Sequence, residues 1–134
     1  MTYVLDSWAL MAWLKGETPA THRVRDLLEA SAAGRLRLVM SMINVGEVYY
    51  LLIKSGQGPA AEDFVQALGS SMPIEPLLPD RDCILQSARL KGNYPISYAD
   101  AFAAATAILH NAPLVTGDPE FRSVPGLKLE RLGP

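Results

Sequence analysis

Leu114-Val115-Thr116-Gly117-Asp118-Pro119 reads as a three-residue β-prone run, a glycine break, and an acid followed by the residue best suited to open a helix. The chain opens in the same way: Tyr3-Val4-Leu5 runs into Asp6 and then into Ser7-Trp8-Ala9-Leu10-Met11. Leu38-Val39-Met40, Ile74 to Leu77 and Leu127 to Leu129 are further short runs, none long enough for a helix. Between these runs the spacing predicts helices over 8–15, 19–33, 42–55, 58–69, 80–91 and 97–110, the last two opening at the capping residues Asp80 and Ser97. Strands alternating with helices build right-handed βαβ units, so the expected class is α/β: a three-layer α/β/α domain around a central parallel sheet of about five strands. Ligands of such sheets sit beyond the carboxyl ends of the strands, which directs attention to Asp6 and Asp118.

At 134 residues the chain has the length of a single domain, expected to span 1–134, and 49% apolar against 19% charged residues is enough to build a core. Cys83 is the one cysteine, which excludes an internal disulfide and a Cys/His zinc site. Met1 to Leu14 is apolar but lacks a basic start, carries Asp6 and offers no small-residue cleavage site, so export is not expected. Asp100 and Thr106 interrupt even the Ala-rich run from Ala99 to Leu109, short of the ~18 apolar residues of a membrane span. The expected protein is soluble, cytoplasmic and free of the membrane. A formal charge of −2 shows no basic footprint for nucleic acid. Setting aside four neutralised acids turns it to +2, with Arg35, Arg37, Arg81, Arg89 and Lys91 in loops and at helix ends, a balance compatible with RNA.

Four acids stand out, and each has a plain structural explanation. Asp6 and Asp118 sit where helix N-caps belong, and Ser97-Tyr98-Ala99-Asp100 has the form of a capping box opening an Ala-rich helix. Glu47 shares a helical face with Asn44, three residues before it, which could be a solvated stripe. Its neighbours Val45, Val48, Tyr49, Tyr50, Leu51, Leu52 and Ile53 are nearly all apolar, however, and a carboxylate among them needs a partner. Small residues after Asp100 (Ala101, Ala103, Ala104, Ala105, Ala107) let other groups approach that helix closely. Capping accounts for the acids singly and leaves unexplained their common order: strand–Asp, helix–Glu with an Asn before it, helix-start Asp, strand–Thr-x-Asp.

That order, in Val4-Leu5-Asp6-Ser7, Ser41-x-x-Asn44-x-x-Glu47, Ser97-Tyr98-Ala99-Asp100-Ala101 and Leu114-Val115-Thr116-Gly117-Asp118-Pro119-Glu120-Phe121, resembles PIN-domain ribonucleases. Within them it is nearest the VapC-type toxins of prokaryotic toxin/antitoxin pairs, from Asp6 to the Val124-Pro125-Gly126-Leu127 segment. The resemblance implies a PIN-like fold and a metal-dependent endoribonuclease toxin that hydrolyses RNA phosphodiester bonds. Its acidic quartet would be Asp6, Glu47, Asp100 and Asp118, both metal-binding and catalytic, with Ser7, Asn44 and Thr116 as polar supports. It further implies an RNA substrate, a homodimer, and inhibition by a cognate antitoxin whose tail enters the acidic groove. Many relatives carry another Asp two residues after the fourth acid; this chain has Glu120 there, which is left outside the quartet.

Carboxylates ~4 Å apart repel by ~4 kcal/mol per pair at an effective dielectric of 20, so such a cluster implies a cation. Oxygen donors without Cys or His suit Mg²⁺ or Mn²⁺, which activate water and stabilise a leaving oxygen in phosphodiester hydrolysis. Neither His22, in an amphipathic helix, nor His110, at a helix end, is expected to act as a base. Trp8, Tyr94 and Tyr98 are candidates for stacking on RNA bases. A dehalogenase-type phosphatase would want an acid where Trp8 stands, and a receiver domain an acid after its third strand. The remaining alternative is a non-enzymatic protein-interaction module of the same fold, its acids serving only as caps.

Overall fold

The chain starts in the middle of its own sheet. In the computed structural model, which describes residues 1–132, β1 (Thr2–Leu5) pairs in parallel with β2 (Arg37–Ser41) on one side and β4 (Leu114–Thr116) on the other. β3 (Glu75–Leu77) adds outside β2 and β5 (Leu129–Arg131) outside β4, giving an all-parallel sheet of order β3-β2-β1-β4-β5. The chain therefore builds outward in one direction through β2 and β3, then returns to the other side of β1. The topological switch falls between β1 and β4, where open α/β sheets place their ligands.

Side chains alternate across a strand, and here the alternation sorts two cores. Leu5, Leu38, Met40 and Val115 join a buried cluster with α1 (Ser7–Lys15), α2 (Ala20–Ala32), α3 (Met42–Lys54) and α4 (Gly58–Ala67). Val4, Val39 and Leu114 join another with α5 (Arg81–Asn93) and α6 (Tyr98–Leu109). These are the three layers expected from the sequence, and all six helices lie within two residues of their expected ends. Four start where a side chain satisfies an orphan N–H: Asp6 accepts from Ala9 at 2.8 Å, Ser41 from Ile43 at 3.2 Å, Asp80 from Cys83 at 2.9 Å and Ser97 from Asp100 at 3.1 Å. Among the described residues no helix is long and apolar enough to cross a membrane.

α6 is buried from Asp100 through Ala107, because its alanines let it lie close under β1, β2 and β4 and against α3 and α5. Its first turn is thereby held at the carboxyl edge of the sheet, beside the switch point. The last strand differs from expectation: it lies at Leu129–Arg131, two residues beyond the run Leu127 to Leu129. Register decides this. Leu129 pairs with Leu114, and the Leu132 N–H donates to the Thr116 carbonyl at 2.8 Å. Glu130 is held by a two-pronged bond from Arg23 of α2, at 2.6 and 2.8 Å, so an edge strand keeps its charges.

Candidate active site

Asp6 ends β1 and Thr116 ends β4, on neighbouring strands at the switch point. The Thr116 hydroxyl donates to Asp6 Oδ2, while Asp6 Oδ1 caps α1, so both oxygens of this fully buried carboxylate are engaged. Thr116 Oγ1 also accepts the N–H of Asp118 at 3.0 Å, tying the fourth acid to the first through one hydroxyl. Asp118 then caps the 3-10 turn Pro119–Ser123 by accepting from the Glu120 N–H at 3.0 Å. Cap and cluster are thus compatible roles for the same side chains, and the capping expected of Asp6 and Asp118 is present along with their convergence.

Asp100 enters from the first turn of α6. Only half of the expected capping box forms there: Ser97 accepts from the Asp100 N–H, and the Asp100 carboxyl turns instead to Glu120. Carboxylate oxygens of Asp100, Asp118 and Glu120 all lie within 4.8 Å of one another. Glu47 comes from α3, one turn after Asn44, and accepts from the Ser7 hydroxyl of α1. Asn44 is wholly buried; its amide donates to the Ala99 carbonyl at 3.0 Å, just before Asp100, and its Oδ1 has no partner. The structure therefore brings Glu47, Asp100 and Asp118 to one groove of about 750 Å³, with Asp6 buried beneath it and outside its lining. Ser7 thus bonds Glu47 and Thr116 bonds Asp6, while Asn44 bonds the backbone at Ala99, beside Asp100.

Glu120, left out of the quartet on sequence, belongs to the tightest part of the cluster. The signal was the spacing Asp118-Pro119-Glu120: a 3-10 turn capped by the first residue carries the third back toward it. The basic residues singled out on sequence lie elsewhere. Arg37 pairs with Glu75 at 2.6 Å, Lys91 donates to the Ile96 carbonyl at 2.9 Å, and none of the five lines the groove, where Lys15 is the cation among the described residues. His110 Nδ1–H donates to the Thr106 carbonyl, 2.9 Å away at the far end of α6, and His22 is exposed on α2.

Burial, more than the crowding of charges, sets the protonation of Asp6 and Asp100. Burial, reinforced by the charges of Asp118 and Glu47, pushes Asp6 up to about 7, against the lowering pull of its bonds from Thr116 and Ala9. Asp100 is pushed up to about 8, by burial first, then by the hydrogen bond it shares with Glu120 and the charges of Asp118, Asp6 and Glu120. Two buried carboxyls that hold protons near neutral pH beside further acids mark a candidate functional site. A hard divalent cation fits this all-oxygen donor set.

The sequence matches the PIN-domain family over residues 3–127, nearly the whole chain. The chain is a PIN-domain protein. Solved structures of similar fold include members of toxin–antitoxin systems. VapBC2 of Rickettsia felis, bound to a DNA fragment from its promoter, is 23% identical with a TM-score of 0.76, over 99% of this chain and 100% of that one. VapBC-1 of nontypeable Haemophilus influenzae is 26% identical with a TM-score of 0.72, over 98% of each chain. VapC20 of Mycobacterium tuberculosis, a toxin that cleaves the sarcin–ricin loop, is 17% identical with a TM-score of 0.69, over 91% of this chain and 93% of that one. No curated protein sequence matches the chain. In this PIN domain the acids occupy the switch-point edge, and the loop carrying Asp118 and Glu120 closes it.

Proposed function

We propose that this PIN domain is a VapC-type toxin: a single-domain, Mg²⁺- or Mn²⁺-dependent endoribonuclease that hydrolyses RNA phosphodiester bonds in the cytoplasm, works as a homodimer and is held silent by a cognate antitoxin. The observation that carries this is the gathering of Asp6, Glu47, Asp100, Asp118 and Glu120 around one groove at the carboxyl edge of the sheet. Helix capping alone requires no such meeting. The antitoxin is supported by the toxin–antitoxin complexes among the similar structures, and the RNA substrate by the likeness to a toxin that cleaves the sarcin–ricin loop.

Asp100, Asp118 and Glu120 would hold the cation, with Asp6 and Glu47 adding charge from below and from α3. A bound divalent cation supplies an activated water and neutralises charge on the phosphate. The protein's own groups orient and fix the carboxylates. Thr116 locks Asp6 and places Asp118, Ser7 holds Glu47 toward the groove, and Asn44 ties α3 to the turn that carries Asp100. The Asp100 carboxyl, pushed up to about 8, would give up its proton on binding a cation.

Expression of the chain alone is expected to arrest growth, and co-expression of a small antitoxin encoded beside it to restore growth. Asp100→Asn at equal protein level should be harmless. Undiminished toxicity of that variant would show that harm comes from something other than the acid cluster, as an interaction module would allow.

A further inference from the structure

Besides its acids the groove is lined by apolar residues of α1 and α3, including Trp8, Met11, Leu14 and Leu51. Of the aromatic residues expected to stack on bases, Trp8 alone lines the groove. Tyr98 packs its ring against Phe102, 4.9 Å between centroids, and Tyr94 leans on the cluster beneath α6. Trp8 is fixed by its seat: a Cβ on Gly117 would lie 2.2–2.5 Å from three ring carbons, so the indole rests directly on the backbone of the residue before Asp118. With 36% of its surface still exposed, the ring is a rigid aromatic surface registered to the acid cluster through a single peptide link. Two turns along α1, on the same face and ~10 Å further on, stands Lys15. It is the one cation lining the groove and makes no ion pair among the described residues.

We propose that Trp8 is the platform on which a base of single-stranded RNA stacks beside the scissile phosphate, while Lys15 takes a phosphate further along the strand; this rests on the ribonuclease reading of the same groove. Stacking suits a nuclease whose acids contact only phosphate, because every base presents a π-face and the strand is held without a sequence code. A cation held by the acids at one end and an ammonium at the other would give two anchors for one phosphate backbone, with an aromatic surface between them. A peptide could use the apolar lining but has no need of that spacing.

The test uses two labelled dodecamers, one of mixed-sequence RNA and one of abasic ribose with the same number of phosphates, in Ca²⁺ with strand integrity checked on a gel. Trp8→Leu is expected to weaken the mixed strand at least fivefold and the abasic strand by less than twofold, and Trp8→Phe to retain most of the affinity. Lys15→Gln should weaken both strands and flatten the slope of log K against log salt by about 0.7. Equal affinity of Trp8→Leu and parent for the mixed strand, or equal losses on both strands, overturns the proposal; a peptide-docking role for Trp8 would give the first of these. Loss with Trp8→Leu but not Trp8→Phe excludes a merely misfolded variant. If the parent binds as expected yet cleaves nothing in Mn²⁺, the ribonuclease reading fails while the platform stands. If it cleaves and Trp8→Leu binds normally, the reverse holds.

Discussion

Asp6 and Asp100 hold protons in the folded protein, up to about 7 and about 8, that the unfolded chain releases near 3.8. A folded state that binds protons more tightly is favoured at low pH, fully so below the unfolded value, and loses that advantage as pH rises through the folded values. Without metal, the protein should therefore melt higher at pH 5 than at pH 8, opposite to the trend given by ordinary paired carboxylates. Each tenfold gain in proton affinity on folding is worth ~1.4 kcal/mol, so even a single such factor should move the melting temperature by ~3 °C or more. Melting followed by circular dichroism in chelator decides this. A melting temperature that climbs between pH 5 and pH 8 would mean that the two carboxyls are not buried and crowded as described. Asp6→Asn should flatten the dependence, since the amide cannot titrate and its oxygen can still accept a bond.

At the scale of elements, the seam between α3 and α6 decides how the acids face one another. Asn44 spans it with one amide bond to the Ala99 carbonyl, at the turn that carries Asp100, while Glu47 projects from the next turn of α3. Its unpartnered Oδ1 already costs stability, so Asn44→Ala removes a bond and a burial penalty together. The expected stability change is within ~1 kcal/mol, measured by denaturant melts. Cleavage should nonetheless fall roughly tenfold to a hundredfold, because a small displacement of a reacting group costs that much. A large loss of stability with activity per folded molecule unchanged would make Asn44 a core residue and nothing more.

Across the whole molecule, the fold was readable because its signals were local and repeated: short apolar runs, capping residues before four of the helices, and Ala-rich spacing in α6. β5 was displaced because an edge strand bearing Glu130 and Arg131 does not look like a strand, and Glu130 is held there by Arg23 of distant α2. The four acids stood out through their order along the chain. Glu120 was not, because only the 3-10 turn after Asp118 returns it to Asp100. The full burial of Asp6 was equally hidden, since it depends on β4 lying beside β1. The basic residues chosen from sequence missed Lys15, whose place in the groove comes from its phase along α1 relative to Trp8.

Asp118→Asn isolates the central claim, because asparagine caps a helical turn about as well as aspartate but lacks the charge that a hard cation requires. Parent and variant are to be incubated with pooled cellular RNA in Mn²⁺ or Mg²⁺, with and without chelator, and the rate of strand cleavage followed. The parent should cleave internally in either metal and stop on chelation, while the variant, folded and melting within a few degrees of the parent in chelator, should cleave at least a hundredfold more slowly. Cleavage by the parent that survives chelation, or equal rates in parent and variant, would contradict a metal-dependent nuclease centred on these carboxylates.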